Sequence, residues 1–366
     1  MGSPVRILWS EDFAAYDFGP DHPMRPERLA LTMALARRLG ILDGADVTVT
    51  APSPAGDDLL ALVHTRDYLT AVRAASVPGG RGSARHGLGT ADNPVFAGMH
   101  DVSALVVGAS VMAAAAVWAG EVAHAVNLAG GLHHAMPGYA SGFCVYNDPT
   151  VAIAWLLEQG VERVAYMDID VHHGDGVQAA FYDDPRVLTI SLHESGHYLF
   201  PGSGFPDEVG AGPGVGFSVN VALPPGTGDA GWLRAFHAVV PPLLEVFAPQ
   251  VLVSQHGCDS HALDPQADLE LSLDGQLAAA GALHELAHRP STAGRWVVLG
   301  GGGYDPERVV SRSWAGLLAE VAGVEVDLTD GADAVYLPWP EGENRVDEAI
   351  LATRAAVFPT HGLPVE

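Results

Sequence analysis

Four apolar runs that read as strands each end in residues able to do chemistry. Leu128 leads into Ala129-Gly130-Gly131-Leu132-His133-His134, and Met167 into Asp168-Ile169-Asp170-Val171-His172-His173-Gly174-Asp175-Gly176. Ser254 leads into Gln255-His256-Gly257-Cys258-Asp259, and Leu299 into Gly300-Gly301-Gly302-Gly303-Tyr304. Asp170, His172 and Asp259 supply two carboxylates and one imidazole, a donor set that leaves a four- or five-coordinate divalent ion with open positions, as metal-dependent hydrolysis requires. An isolated Asp-x-His at a strand end serves equally as a salt-bridged turn; the conjunction with the other strand ends favours the metal. His133 and His134 each need a carboxylate to fix a tautomer and raise basicity, and Asp168 and Asp175 are the two carboxylates to spare. Tyr304 follows four glycines that allow close backbone approach, so its phenol can donate a hydrogen bond to a developing oxyanion. The alternative is a turn with the ring on the surface.

Elements that could hold these ends together are visible as alternation. Short β-rich runs at 5–9, 125–128, 164–169, 187–192, 217–221, 251–254 and 296–299 are separated by stretches of helical spacing at 25–39, 101–119, 150–159, 229–247 and 273–288. That order specifies an α/β fold, a mostly parallel sheet with helices on both faces. In such sheets ligands bind beyond the carboxyl ends of the strands, which is where the reactive residues fall. The stretches 78–89 and 201–216, rich in Gly with Arg, Ser or Pro, read as surface loops of functional length. No repeat or low-complexity linker divides the chain, so one domain over 1–366 is expected.

Composition removes several classes. The 366 residues are 48% hydrophobic and 17% charged, which excludes disorder and fibre. No lysine occurs: the 18 basic residues are all Arg, against 44 Asp plus Glu, for a net charge of −26. A lysine Schiff base and a P-loop lysine are therefore excluded. Nucleic acid is not an expected partner, because duplex binding needs basic groups to neutralise phosphates. Cys144 and Cys258 cannot build a disulfide framework, and the first ten residues lack a leader pattern, which points to the cytoplasm. The apolar stretch 102–119 is interrupted by Ser103, Gly108 and Ser110, so it reads as a buried helix and no membrane partner is expected.

The motifs resemble, in order and content, those of the zinc-dependent histone deacetylases. The resemblance is carried by Gly130-Gly131-Leu132-His133-His134-Ala135, Ser141-Gly142-Phe143-Cys144 with Asn147-Asp148, the stretch 168–176, Ser191-Leu192-His193, Phe200-Pro201-Gly202 and the stretch 300–304. It runs from His22-Pro23-Met24-Arg25-Pro26-Glu27-Arg28 to about Trp314, within a match of roughly 5–320, and is strongest toward class I enzymes and bacterial acetoin-utilisation deacetylases. It implies an arginase-like α/β fold and hydrolysis of an acetyl amide to acetate and free amine.

Residue by residue, the resemblance implies that Asp170, His172 and Asp259 ligate zinc or ferrous iron. His134, oriented by Asp175, is the expected general base; His133, oriented by Asp168, stays cationic or acts as the acid. Tyr304 polarises the acetyl carbonyl. Phe143 and Phe200 sandwich the methylenes of acetyl-lysine, although either ring alone would more often be core. Gly142 offers its carbonyl to the amide N–H, and Asp101 is the expected rim carboxylate. Potassium is implied at an inner site (Asp168, Asp170, His172, Ser191, Leu192) and an outer one (Phe181, Asp184, Val187, Phe217). Arg28 matches the family arginine under the active site, while Arg37-Arg38 reads as a solvated helix end.

Departures from the family pattern are Gln266, where class I enzymes have an apolar tunnel wall, and His197-Tyr198-Leu199 before the second aromatic. Residues 325–366 have no aligned counterpart; a turn at Leu337-Pro338-Trp339-Pro340 and a helix over 344–357 are expected to pack on the domain. The expected substrate is an acetylated protein or peptide, with basic segments favoured by the negative surface. An amidohydrolase of acetylated polyamines is the alternative; Gly131-Leu132 before His133, in place of Pro-Gly, counts against it. A non-catalytic acetyl-lysine binder would have no need of both histidines, three ligands and Tyr304. Oligomeric state is left open by the sequence.

Overall fold

The apolar runs form a parallel sheet because their residues are buried on both faces, which suits continuous rather than alternating apolar sequence. A computed structural model describes residues 3–328 and 342–366. Among the described residues the strands are β1 (Val5–Leu8), β2 (Val47–Thr50), β3 (His124–Asn127), β4 (Val164–Asp168), β5 (Val187–Glu194), β6 (Ser218–Leu223), β7 (Val251–Gln255) and β8 (Trp296–Leu299). They lie in the order β2-β1-β3-β8-β7-β4-β5-β6, and every pairing is parallel. The four strands that precede the reactive segments, β3, β8, β7 and β4, are therefore contiguous at the centre. All four release their chain on the same edge.

The helices are α1 (Glu27–Arg38), α2 (Asp57–Leu60), α3 (Arg66–Ala75), α4 (Met99–Trp118), α5 (Asp148–Glu158), α6 (Asp175–Ala180), α7 (Asp229–Phe247), α8 (Leu273–Ala287), α9 (Ser311–Ala322) and α10 (Gly342–Val357). α4 packs on β1, β3 and β8 and against α5; α1, α8 and α9 form a second group; α7 meets β5. α10 rests on α7 and β6, and its buried Thr353 hydroxyl donates to the Asn220 carbonyl of β6 at 2.6 Å. The helix expected over 344–357 is thus present and packed, whereas Leu337-Pro338-Trp339-Pro340 lies outside the described residues. Arg37 and Arg38 are exposed in the last turn of α1, as expected of a solvated end.

α4 is the one helix among the described residues long and apolar enough to cross a membrane, and 78% of its most apolar stretch is buried inside the protein. The residues that interrupt its apolar pattern have local reasons. A Cβ at Gly108 would sit 1.9 Å from the Ser53 carbonyl, so glycine lets the chain at 53–55 cross the helix closely. The Ser110 hydroxyl donates to Asp148 at 2.5 Å, and Asp148 in turn accepts from the backbone N–H groups of Gly131 and Leu132 at 3.1 and 2.9 Å. A helix interior and the start of α5 together hold the loop that carries the histidine pair.

His64, buried between α2 and α3, braces the same region: its Nε2 accepts from the Asn147 N–H at 3.0 Å. Burial lowers its pKa to about 4. The unfolded chain binds this proton near pH 6.5 and the folded chain only near 4, so the stabilisation is complete above about 6.5 and is lost as pH falls toward 4. The stability gap between wild type and His64→Gln, measured by denaturant unfolding, should therefore shrink by about 2–3 kcal/mol between pH 7 and pH 4. A gap independent of pH would contradict this.

Candidate active site

Three of the four reactive segments, those after β3, β7 and β8, leave their strands through glycine-bearing turns. A Cβ at Gly257 would lie 2.0 Å from Asp170 Oδ2, and one at Gly302 would lie 2.0 Å from Asp259 Oδ2. Backbone therefore packs directly on the carboxylates, and no larger residue fits. Asp170, His172 and Asp259 converge as expected: their donor atoms all lie within 4.8 Å of one another, and all three residues are buried. His172 Nδ1 stands 3.1 Å from both Asp170 Oδ1 and Asp259 Oδ2. The remaining carboxylate oxygens are engaged, Asp170 Oδ2 by the Gln255 amide at 2.7 Å and the Gly302 N–H at 2.8 Å, and Asp259 Oδ1 by the Val171 N–H at 3.0 Å.

The electrostatics are those of a site short of positive charge. Burial opposes the charged form of Asp170, but His133, His172 and Gln255 outweigh it and hold the carboxyl well below its usual range. Burial and the facing Asp170 push Asp259 up to about 6. His172 is raised to about 10, because its two carboxylate neighbours overcome the cost of burial. A proton between two buried carboxylates stands there in the place of a cation. Such a donor set fits a divalent ion, with the imidazole giving up that proton to bind it.

The histidine pair lies beside this cluster, with Nε2 atoms facing each other at 3.0 Å. His133 Nδ1 meets Asp168 at 2.8 Å and His134 Nδ1 meets Asp175 at 2.7 Å, the pairing expected from sequence. The two environments separate the rings. Burial disfavours charge on His133, yet Asp168 and Asp170 prevail and raise it to about 9; burial and the neighbouring His133 lower His134 to about 4. One imidazole is thus held cationic and the other neutral.

A cavity of about 170 Å³ opens above the cluster, lined by Asp92, His134, Gly142, Phe143, His172, Phe200, Gln266 and Tyr304. Phe143 meets the Tyr304 ring edge-on at 5.7 Å, and Phe200 meets His134 at 5.0 Å. A Cβ on Gly142, whose φ is +50°, would collide with His134 at 2.4 Å and with Phe200 at 2.9 Å, so glycine alone keeps this wall narrow. Burial raises the Tyr304 phenol well above its usual pKa, leaving it a proton donor at neutral pH. Beneath, the buried Arg28 donates to the carbonyls of Gly301 and Gly303 at 2.8 and 3.2 Å and packs over Trp314, fixing the loop before Tyr304.

Similarity to known proteins agrees with this geometry. Residues 22–321 match the histone deacetylase domain model. Acetoin utilization protein AcuC of Bacillus subtilis (strain 168) is 42% identical over 322 residues, covering 87% of this chain and 82% of that protein. The chain belongs to the histone deacetylase family. AcuC of Staphylococcus xylosus is 37% identical across 88% of this chain and 84% of its own. The crystal structure of an HDAC homologue from Aquifex aeolicus shares 32% identity with a TM-score of 0.82, over 95% of this chain and 100% of that one. An HDAC homologue complexed with SAHA gives a TM-score of 0.81 over 96% of this chain at the same identity. The arginase-like α/β expectation is met by this family's fold, and the family is one of deacetylase hydrolases.

One expected site residue is misplaced. Asp101 lies exposed in the first turn of α4 and does not line the cavity, where a carboxylate near a helix N-terminus answers the helix dipole. Asp92, nine residues earlier, is the acidic residue at the mouth. Gln266 does line the wall. The residues assigned to potassium fall in two groups: Asp168, the last residue of β4, is the register partner of Ser191 within β5, while Phe181, Asp184 and Val187 share the turn after α6, closed by bonds of 3.1 and 3.2 Å. Phe217 joins that turn's strand by accepting from the Thr189 N–H at 2.9 Å.

Other supports escaped the sequence reading. Gln255 links Asp170 to the Gly131 carbonyl; Tyr166 donates to Asp168 at 2.7 Å; Asp264 accepts from the Tyr304 N–H at 2.7 Å. Only Gln255 carried a signal, its place at the end of a buried strand. Asp92→Ala is expected to raise KM for an acetylated peptide about tenfold, the cost of one charged hydrogen bond, with kcat little changed. Asp101→Ala should leave both constants as in wild type; the reverse pattern in steady-state kinetics would contradict the placement.

Proposed function

We propose that the chain hydrolyses the acetyl amide of N6-acetyl-lysine in proteins, releasing acetate and free lysine. The observation that carries this reading is the narrow, aromatic-walled cavity that ends on His134, His172 and Tyr304. Four methylenes capped by a neutral amide suit such a slot. A free lysine ammonium does not, because a dry wall offers it no compensation, so the product is expelled.

Asp170, His172 and Asp259 would hold zinc or ferrous iron, which supplies Lewis acidity toward water and the acetyl carbonyl. Phe143 and Phe200 bind the methylenes and exclude water, while the Gly142 carbonyl accepts the amide N–H. His134, held neutral, takes a proton at Nε2 from the attacking water as its oxygen bonds to the carbonyl carbon. Tyr304 donates a hydrogen bond to the oxygen that becomes negative. His133, held cationic, then gives its Nε2 proton to the amide nitrogen, and the C–N bond breaks. Acetic acid loses its proton to the amine, so acetate and ammonium depart. The proton left on His134 crosses to His133 between the facing nitrogens and restores both rings. Asp175 and Asp168 fix the ring orientations throughout.

We also propose potassium at the two residue groups near β4 and β5, with family resemblance as its support. The net charge of −26 favours basic peptide segments as substrates through steering at low salt.

Turnover on an acetyl-lysine peptide and on acetylputrescine decides the substrate class. A kcat/KM at least tenfold higher for the peptide is the expected result, and preference for acetylputrescine would replace a protein substrate with a small acetylated amine. Tyr304→Phe should keep its metal content while turnover falls about 10²- to 10³-fold, the effect of deleting one oxyanion donor. Undiminished turnover in that variant would refute the role given to the phenol.

A further inference from the structure

The opposite edge of the sheet, where strands begin, carries a second group of imidazoles. His124 opens β3 and is fully buried. His284 stands in the last turn of α8 and His288 four residues on, as the residue that caps its C-terminus. His124 Nε2 lies 3.2 Å from the Nε2 of His284 and 3.3 Å from that of His288. In its plane a ring nitrogen carries either one lone pair or one N–H, so at most one of these approaches is a well-aligned hydrogen bond. The other needs a different cause. A shared cation supplies one: zinc–imidazole bonds of about 2.0–2.1 Å at tetrahedral angles place ligand nitrogens about 3.3–3.4 Å apart.

The surroundings are arranged as for a ligand set. Glu320 of α9 accepts from His284 Nδ1 at 2.7 Å, so the Nε2 lone pair of that ring faces the other two imidazoles. A carboxylate behind a histidine in this way fixes the tautomer and raises the basicity of the ligating nitrogen. Trp296, the first residue of β8, stacks on His284 at 5.3 Å and meets His124 edge-on at 5.5 Å, holding two of the three rings. His288, at the helix end, is exposed and gives access from solvent. The helix segment reads His284-Glu285-Leu286-Ala287-His288, a spacing that presents two imidazoles to one ion.

We propose that His124, His284 and His288 form a second site for a divalent transition cation, zinc foremost, oriented by Glu320. Imidazole donors select zinc, copper or nickel over magnesium and calcium. Three of them leave a fourth position for water or an external ligand. Bound there, the ion ties the last turn of α8 to the start of β3. The site shares no residue with the deacetylase cluster and stands independently of it.

Equilibrium dialysis of metal-stripped protein against zinc, followed by counting the metal per chain, tests this. His288→Ala and His284→Asn are each expected to hold one ion fewer than wild type, with turnover on the acetyl-lysine peptide unchanged. His288 is exposed, so its variant is expected to fold, and circular dichroism checks that it does. Glu320→Gln should weaken the second ion about 10- to 100-fold, as loss of an orienting carboxylate does. Cobalt added as a probe should show one fewer four-coordinate absorption spectrum in His288→Ala. Equal metal stoichiometry in wild type and both histidine variants overturns the proposal.

Discussion

Two carboxylates and one imidazole held together out of water constrain everything around them. Asp170 and Asp259 face the same nitrogen of His172 at 3.1 Å, and the chain has no lysine to neutralise them. The nearby arginine, Arg28, is committed to the carbonyls of Gly301 and Gly303. Like charges buried at this separation repel strongly, and each ion also gives up its hydration. A dication at the convergence point relieves both costs, which is why the donor chemistry argues for a metal more firmly than any one spacing does.

Holding that arrangement requires rigidity on every side, and the fold supplies it from four adjacent parallel strands. Gln255 at the end of β7 bonds to Asp170 and to the loop of the histidine pair, so the carboxylate cluster and that loop are fixed by one amide. Asn147 and Asp148, at the start of α5, bind the backbone of that loop at His133, Ala135, Gly131 and Leu132. Strain is accepted where the wall must be narrow: Phe143 adopts a φ of +67°, unusual for a bulky residue and placed at the cavity. The same frame separates the two histidines electrostatically, since two carboxylates, Asp168 and Asp170, act on His133, whereas burial and the facing His133 outweigh the single carboxylate of Asp175 at His134.

Central strands were legible because parallel strands covered on both faces are continuous apolar runs, and β3, β4, β7 and β8 match the predicted segments to within a residue or two. β2 was not, because an edge strand reading Val-Thr-Val-Thr, largely open to solvent, has no such run. α3 and α9 also escaped, although the buried positions of α3, Tyr68, Leu69, Val72 and Ala75, have helical spacing. The site residues borne on strand ends were readable, since glycine-rich turns mark where the chain leaves a sheet. Asp92 was not: it lies in an irregular loop, and Asp101, at the start of a recognisable helix, drew the assignment instead. Likewise the His-Glu-x-x-His spacing on α8 is visible in the sequence, but the third imidazole comes from a strand 160 residues earlier than His284 and appears only once the chain is folded.

The central claim is that the buried cluster of Asp170, His172 and Asp259 needs a divalent cation for deacetylation. Stripping the protein with a chelator and measuring turnover on an acetylated peptide as zinc or ferrous iron is returned tests it most directly. Turnover should vanish on stripping and return with either ion. Activity that survives complete stripping, or that neither ion restores to protein shown to be folded, would contradict the account.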